Sequence, residues 1–359
     1  MTIDLDRPKA DQIEISIFGK GIGECSVVHV GQDRWIVIDS FLDDDGFPVA
    51  RRYLEHIGVS PEKVQLIILT HWHDDHIRGA SDLLGWASES LISYSTVLCH
   101  DEFRATIQRI APVNGTKFQS GVQELIRVAK LLETRQHHKR LAGPQRQLLV
   151  ANDLRIESLS PSDQDIDLFL NEIAGWHPAN DADRVLRKPD RNDTSVAIVF
   201  EIAGEWLLFG ADLEIRQSLS GWQGVHDLYW APRGQCRFYK IAHHGSPNGH
   251  FVPKWENMLH SDVCAVLTPY GRGSTPRPSN DDIARINAAT PNAYAAGECQ
   301  LRRARRQHNS VERSLAEASI ELRRIDEKLG HVRLRSKLSE VGNPWDCELI
   351  GQAYHLASV

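Results

Sequence analysis

Hydrophobic positions along the chain follow two rhythms. An alternation of period two runs through Ile13-Glu14-Ile15-Ser16-Ile17-Phe18, breaks at the glycine-rich stretch Gly19 to Gly23, and resumes over Cys25 to Val30 and Trp35 to Ile38. Alternation interrupted by glycine and by Gln32-Asp33 predicts strands joined by hairpins. Ala50, Tyr53, Leu54 and Ile57 then share one stripe of a helix around 49–57. Val64 to Leu69 is nearly all apolar, which predicts a strand buried on both faces, and it runs straight into His71. A helix is expected again near Ala80 to Leu84, so residues 71–79 form a strand-to-helix loop of the kind that carries chemistry on a rigid scaffold.

From Trp86 to about Leu148 the pattern reads as helical, with Val122, Leu125, Ile126, Ala129 and Leu132 on one face of a long amphipathic stretch, and residues 86–150 are read as a helical insertion. A second strand-rich half follows in Leu154 to Leu159, Ser195 to Ile202, Glu205 to Phe209, Tyr239 to Ala242 and Val263 to Leu267. The polar, aspartate-rich stretch 160–192 between the first two is read as a loop insertion. His331 to Leu338 and Cys347 to Leu356 alternate like closing strands. Strands followed by helices in both halves predict a layered α/β fold, two central sheets with helices outside, as one domain over 1–359. With 359 residues, 41% of them hydrophobic, the chain can bury a large core unaided.

Charge and cysteines narrow the setting. A net charge of −7 argues against a protein that coats nucleic acid indiscriminately. The charged N-terminus and the lack of an 18-residue apolar run predict neither a secretory signal nor a membrane span. The six cysteines are scattered without a CxxC pair, which predicts free thiols in a soluble, cytoplasmic protein.

The densest chemistry is His71-Trp72-His73-Asp74-Asp75-His76. Imidazoles and carboxylates together suit Zn²⁺, Mn²⁺ or Fe and not Ca²⁺. In an extended loop His71 and His73 point the same way while Asp75 and His76 fall around the next turn, so one segment can serve two adjacent ions. Asp212 closes the strand ending at Phe209, and His243-His244 close the one ending at Ala242. Alone, Asp212 reads equally as a helix N-cap before Leu213, and the histidine pair as packed core residues; beside the cluster they read as ligands.

His-x-His-x-Asp-His-Ile-x-Gly, over His71 to Gly79, resembles the signature of the metallo-β-lactamase superfamily, and Phe209-Gly210-Ala211-Asp212 and His243-His244-Gly245-Ser246 resemble its later blocks. With Asn192-Asp193-Thr194-Ser195-Val196 and Thr275-Pro276-Arg277-Pro278-Ser279 they look most similar to the hydrolase domain of bacterial DNA-uptake channel proteins and the related choline-phosphate esterases. The resemblance implies an αββα sandwich and a hydrolase with two divalent metal ions, Zn²⁺ or Mn²⁺. One ion would take His71, His73 and Asp212, the other Asp75, His76, Asp212 and His244, with Asp212 as the bridge. A hydroxide held between the ions would attack the substrate, Asp75, Asp212 and His243 lying at the reacting centre. His243, pointing away from its neighbour, is assigned to face the substrate or donate a proton. Asp39, closing the strand Trp35 to Ile38, resembles an aspartate that orients metal-binding histidines, with a hairpin-turn role equally open. One departure stands out: many members carry a further histidine where this chain reads Ser158-Leu159-Ser160-Pro161-Ser162, which implies an open position on the first ion.

The superfamily cleaves β-lactams, thioesters, lactones and phosphodiesters, so the fold does not choose the substrate. Lys117, Arg127, Lys130, Arg135, Lys139, Arg140 and Arg146 outnumber Glu124 and Glu133, and Arg302, Arg303, Arg305 and Arg306 form a second basic cluster. Either cluster alone reads as a solvated face. Together they favour a phosphodiesterase or nuclease acting on DNA or RNA. Ser246, Asn248, Arg78 and Arg272 are the candidate phosphate-holding residues. The same ligands would also serve a small-molecule hydrolase acting on a phosphocholine-type ester, a cyclic nucleotide, a lactone or a thioester. A degenerate, purely binding protein is a third reading, which the complete ligand set disfavours. The charged helical stretch Ser310 to Leu329 is read as docking on the domain or pairing two copies.

Overall fold

The computed structural model describes residues 6–100, 103, 119–134, 139–151, 153–174, 191–217, 219–230, 233–271, 276–298, 329–342 and 344–358. Its strands in chain order are β1 (Gln12–Gly19), β2 (Glu24–Val30), β3 (Trp35–Ile38), β4 (Val64–Leu69), β5 (Leu91–Ser95), β6 (Lys139–Ala142), β7 (Arg146–Ala151), β8 (Leu154–Ser158), β9 (Ile198–Ile202), β10 (Glu205–Phe209), β11 (Cys236–Lys240), β12 (Leu259–Leu267), β13 (Ala293–Ala295), β14 (Gly330–Lys337), β15 (Asp346–Gly351) and β16 (Tyr354–His355). They form two eight-stranded mixed sheets, in the orders β15-β14-β1-β2-β3-β4-β5-β6 and β16-β13-β12-β11-β10-β9-β8-β7. In each, antiparallel strands give way to a parallel run, β3 to β6 in the first and β10 to β13 in the second.

The period-two pattern explains the layering. Ile13, Ile15 and Ile17 of β1, Leu66 and Ile68 of β4, Ile198, Phe200 and Ile202 of β9, and Leu207 and Phe209 of β10 enter one buried cluster between the sheets. The opposite faces, such as Val64, Ile67 and Leu69 of β4, pack under helices Val49–His56, Ala80–Trp86 and Gln119–Thr134 on one side. Val199, Leu208, Ala265 and Leu267 do so on the other, under helices that include Asn280–Ala289. Four layers result, two of sheet between two of helix, an α/β architecture.

Two stretches read as insertions carry further elements of the fold. Within 86–150 the described residues include helix Gln119–Thr134, but β5 and β6 of the same stretch extend the first sheet and β7 closes an edge of the second. Leu91-Ile92-Ser93-Tyr94-Ser95 alternates, but Ser93 and Ser95, the polar members, are buried, which hid the strand. The stretch 160–192 contains a helix, Asp163–Ala174, and residues 175–190 lie outside the described residues. Ser162 and Asp165 cap each other's backbone at its start, and Phe169 is fully buried against Phe103, 6.0 Å between ring centroids. Its acidic first turn suits a helix N-terminus as well as a loop. The Ser310 to Leu329 stretch, read as docking or pairing copies, lies outside the described residues up to 328.

Cys25, Cys99, Cys236, Cys264 and Cys347 are free thiols, and Cys299 lies outside the described residues. Among the described residues no helix is long and apolar enough to cross a membrane.

Candidate metal centre

The parallel strands of both sheets end at one rim, where catalytic groups of α/β sheets collect. Asp39 follows β3, Thr70 and His71 follow β4, Gly210 to Asp212 follow β10, and His243 and His244 lie just beyond β11. The sheets are stitched there by Val196 N–H donating to Thr70 O at 3.0 Å. Gly210 is required by proximity: a Cβ on it would fall 2.9 Å from Ala242 Cβ and 3.0 Å from Lys240 O. After His73 the chain turns into a short helix, Asp74–Ile77, and Gly79 takes φ +80° before helix Ala80–Trp86 begins.

All six expected ligands come together. Donor atoms of Asp75, His76, Asp212 and His244 lie within 4.8 Å of one another, as do those of His71, His73 and Asp212. Asp212 belongs to both sets: Oδ2 lies 3.6 Å from His71 Nε2 and 3.8 Å from His244 Nε2, and Oδ1 lies 3.5 Å from His76 Nε2. Its backbone N–H donates to Ser195 Oγ at 3.0 Å instead of opening a helix. All are buried except His73, which is half-buried.

One carboxylate orients histidines of both sets. Asp39, with φ 61°, accepts from Thr70 N–H at 2.8 Å and from Thr70 Oγ1 at 2.7 Å, and His76 Nδ1 donates to its Oδ2 at 2.8 Å. Because the Thr70 hydroxyl spends its proton on Asp39, it accepts from His71 Nδ1 at 3.0 Å. Both rings therefore offer Nε2 to the cluster. His244 reaches the same tautomer by donating Nδ1–H to Thr268 O at 3.0 Å, while its ring stacks on Tyr270 at 4.9 Å.

The donor set fits divalent cations. His76 Nε2 and Asp212 Oδ1 are buried without a hydrogen bond, a costly state that a cation between them would relieve. His71 Nε2 and His73 Nδ1 face each other at 3.0 Å, close enough for one cation to take both as donors. Burial works against charge on His76, yet Asp212, Glu24, Asp75 and Asp39 raise its pKa well above the usual histidine range. Burial lowers the pKa of His71 well below that range, with His76 adding to the effect. For Asp212 burial is outweighed by His76 and His244, and the carboxyl stays ionised. Buried imidazoles beside ionised carboxylates are a donor set that suits a divalent transition-metal ion.

His243, with φ 48°, is turned from the cluster; its Nδ1 lies 3.1 Å from Glu214 Oε1, and Asn192 Nδ2 lies 3.0 Å from that oxygen and 3.4 Å from His243 Nε2. Of the expected phosphate-holding residues, Arg78 is half-buried beside the motif and makes no ion pair among the described residues. Ser246 is buried and its hydroxyl donates to Asn248 Oδ1, so this pair shapes the turn after His244. Arg272 lies outside the described residues. At the departure from the motif, Ser158 Oγ bonds Gly143 and Ser160 Oγ donates to Ser195 O, so neither adds a ligand to the three-donor set. Sequence reasoning missed Thr70, Glu214, Glu24 and Lys240. The signal for Lys240 was a lone cation inside the apolar run Phe238 to Ala242.

The sequence pattern of the Metallo-beta-lactamase superfamily matches residues 19–219. The chain belongs to that superfamily. Its two mixed sheets with outer helices are the metallo-β-lactamase fold, and members are usually metal-dependent hydrolases. Among solved structures it is similar to the MIM-2 metallo-β-lactamase, with 14% identity over 57% of this chain and 60% of that one, TM-score 0.33. It is similar to the metallo-β-lactamase fold protein YhfI from Bacillus subtilis, with 13% identity over 79% and 95%, TM-score 0.39. The Rm3 metallo-β-lactamase matches at 14% identity over 67% and 81%, TM-score 0.35. The chain thus spans about six-tenths of the length of MIM-2. A comparison with curated proteins finds no match.

Proposed function

We propose that the protein is a dinuclear metal-dependent hydrolase that cleaves phosphodiesters. The observation that carries the hydrolase reading is Asp212, one buried carboxylate shared by two converging donor sets. Two divalent cations there would make water nucleophilic at neutral pH and neutralise charge growing on the attacked group. The chain's own residues do the rest. Asp39 and Thr70 fix the tautomers of His76 and His71. Glu214 faces His243 Nδ1 at 3.1 Å, so Nε2, beside the Asn192 amide nitrogen, would be the base that takes a proton from the attacking water and afterwards returns it to the leaving oxygen.

Support for a phosphate ester comes from Arg78 in the motif and from exposed cations elsewhere on the domain. Arg78 sits half-buried in the metal motif, and Lys130, Arg140 and Arg146 are exposed on the helix and strands beyond it. The motif resemblance to DNA-uptake hydrolase domains points the same way, and the free thiols fit a reducing cytosol. A second reading, a small ester of phosphocholine type, draws on Glu214 beside His243, a carboxylate that suits a cationic substrate group better than a long polyanion. The test is hydrolysis of single-stranded and duplex DNA, RNA and bis-p-nitrophenyl phosphate by protein loaded with Mn²⁺ or Zn²⁺, across a salt series. Cleavage of polynucleotide that weakens steeply with salt supports the nuclease. Turnover of the small esters alone moves the assignment to the second reading, and turnover of none removes both.

A further inference from the structure

Behind the four-donor set lies a buried ion pair joining the two sheets. Glu24, opening β2, and Lys240, closing β11, are 4% and 2% exposed. Lys240 Nζ donates to both Glu24 carboxylate oxygens and to Thr268 Oγ1, each at 3.0 Å, and the Thr268 hydroxyl donates to Glu24 Oε2. The same carboxylate faces two expected ligands from behind: Oε1 lies 3.8 Å from His76 Nδ1 and Oε2 lies 3.5 Å from His244 Nδ1. Thr268 also supplies the carbonyl that accepts from His244 Nδ1.

Stapling two sheets does not require charge. Apolar side chains of similar volume do so at least as well, because a buried pair must first be stripped of water. What apolar residues cannot do is place negative charge behind an imidazole whose other nitrogen binds a cation; that charge makes the ring a stronger donor and holds its orientation. We propose that Glu24, held by Lys240 and Thr268, is a positioning residue for the four-donor set, its negative charge behind the rings of His76 and His244 strengthening their grip on a cation. This rests on the metal-centre reading above.

The test separates the two sets. In full-length protein His73→Ala removes a donor used only by the three-donor set, and Asp75→Ala one used only by the four-donor set. Into each is placed the double change Glu24→Gln with Lys240→Met, which leaves no unpaired charge, and Zn²⁺ is titrated calorimetrically. In the His73→Ala background the Kd should rise roughly tenfold to a hundredfold. In the Asp75→Ala background it should not change. Equal weakening in both backgrounds, or none in either, overturns the proposal and leaves the pair a structural staple. Should the double variant not fold, Thr268→Val carries the same prediction at smaller amplitude, and a symmetrical or absent effect overturns it. If His73→Ala alone binds no Zn²⁺, the metal-centre reading falls first.

Discussion

The two donor sets share Asp212 and differ in almost everything else. His71 and His73 leave one strand two residues apart, His73 is half-buried, and the set's link to Asp39 runs through the Thr70 hydroxyl. The other set draws Asp75 and His76 from the first sheet and His244 from the second; all three are buried, and His76 meets Asp39 directly. A cation's hold grows with the number of fixed donors and with the partners that fix them. On the proposed dinuclear reading, the four-donor set would therefore serve retention, and the three-donor set would leave a position open to substrate.

That contrast can be broken in several places. Asp212→Ala removes the shared donor, so both ions should be lost and turnover should fall by roughly 10³-fold or more; metal analysis that still finds two ions per chain would show that Asp212 is no bridge. Asp75→Ala and His73→Ala should each leave about one ion per chain, and the ion surviving in Asp75→Ala should exchange faster against a chelator. The reverse order would invert the comparison. Asp39→Asn should weaken both sets, by about 10–100-fold in affinity, whereas Thr70→Val should weaken the three-donor set alone, which stepwise metal titration resolves. The smallest effect is in protons. Without metal His76 is charged at pH 7, because its pKa is raised, while His71 is neutral, because its own is lowered. Filling the four-donor set should release more protons at pH 7 than filling the other. Calorimetry in buffers of different ionisation enthalpy measures that difference.

Much of this centre was legible because its parts are local. His71, His73, Asp75 and His76 lie within six residues after an apolar strand, and Asp212 and His244 each follow another, so strand-end ionisable residues were enough to collect them. What stayed hidden acts across long separations. Lys240 and Glu24 are 216 residues apart, and no spacing rule relates them. Thr70 passed as the last residue of a strand because its role depends on which neighbour takes its proton. Strands β5 to β7 were lost for a different reason: their polar positions are buried or lie at sheet edges, so the alternation that marks a half-exposed strand is blurred. Helix Asp163–Ala174 announced itself through Ser162 and Asp165, a spacing easily passed over in an aspartate-rich run.

The place of β14 has a consequence for biosynthesis. It pairs along the whole length of β1, from Gln12 opposite Lys337 to Gly19 opposite Gly330, so β1 waits for a partner that is made only after strands β2 to β13. A ribosome adding roughly 5–20 residues per second leaves that edge of β1 unpaired for on the order of 15–60 s. During that interval Ile13, Ile15 and Ile17 sit on a strand with open hydrogen-bonding groups, which is a template for association with other chains. Nascent and truncated products that end before β14 should therefore depend on chaperones far more than the finished protein does.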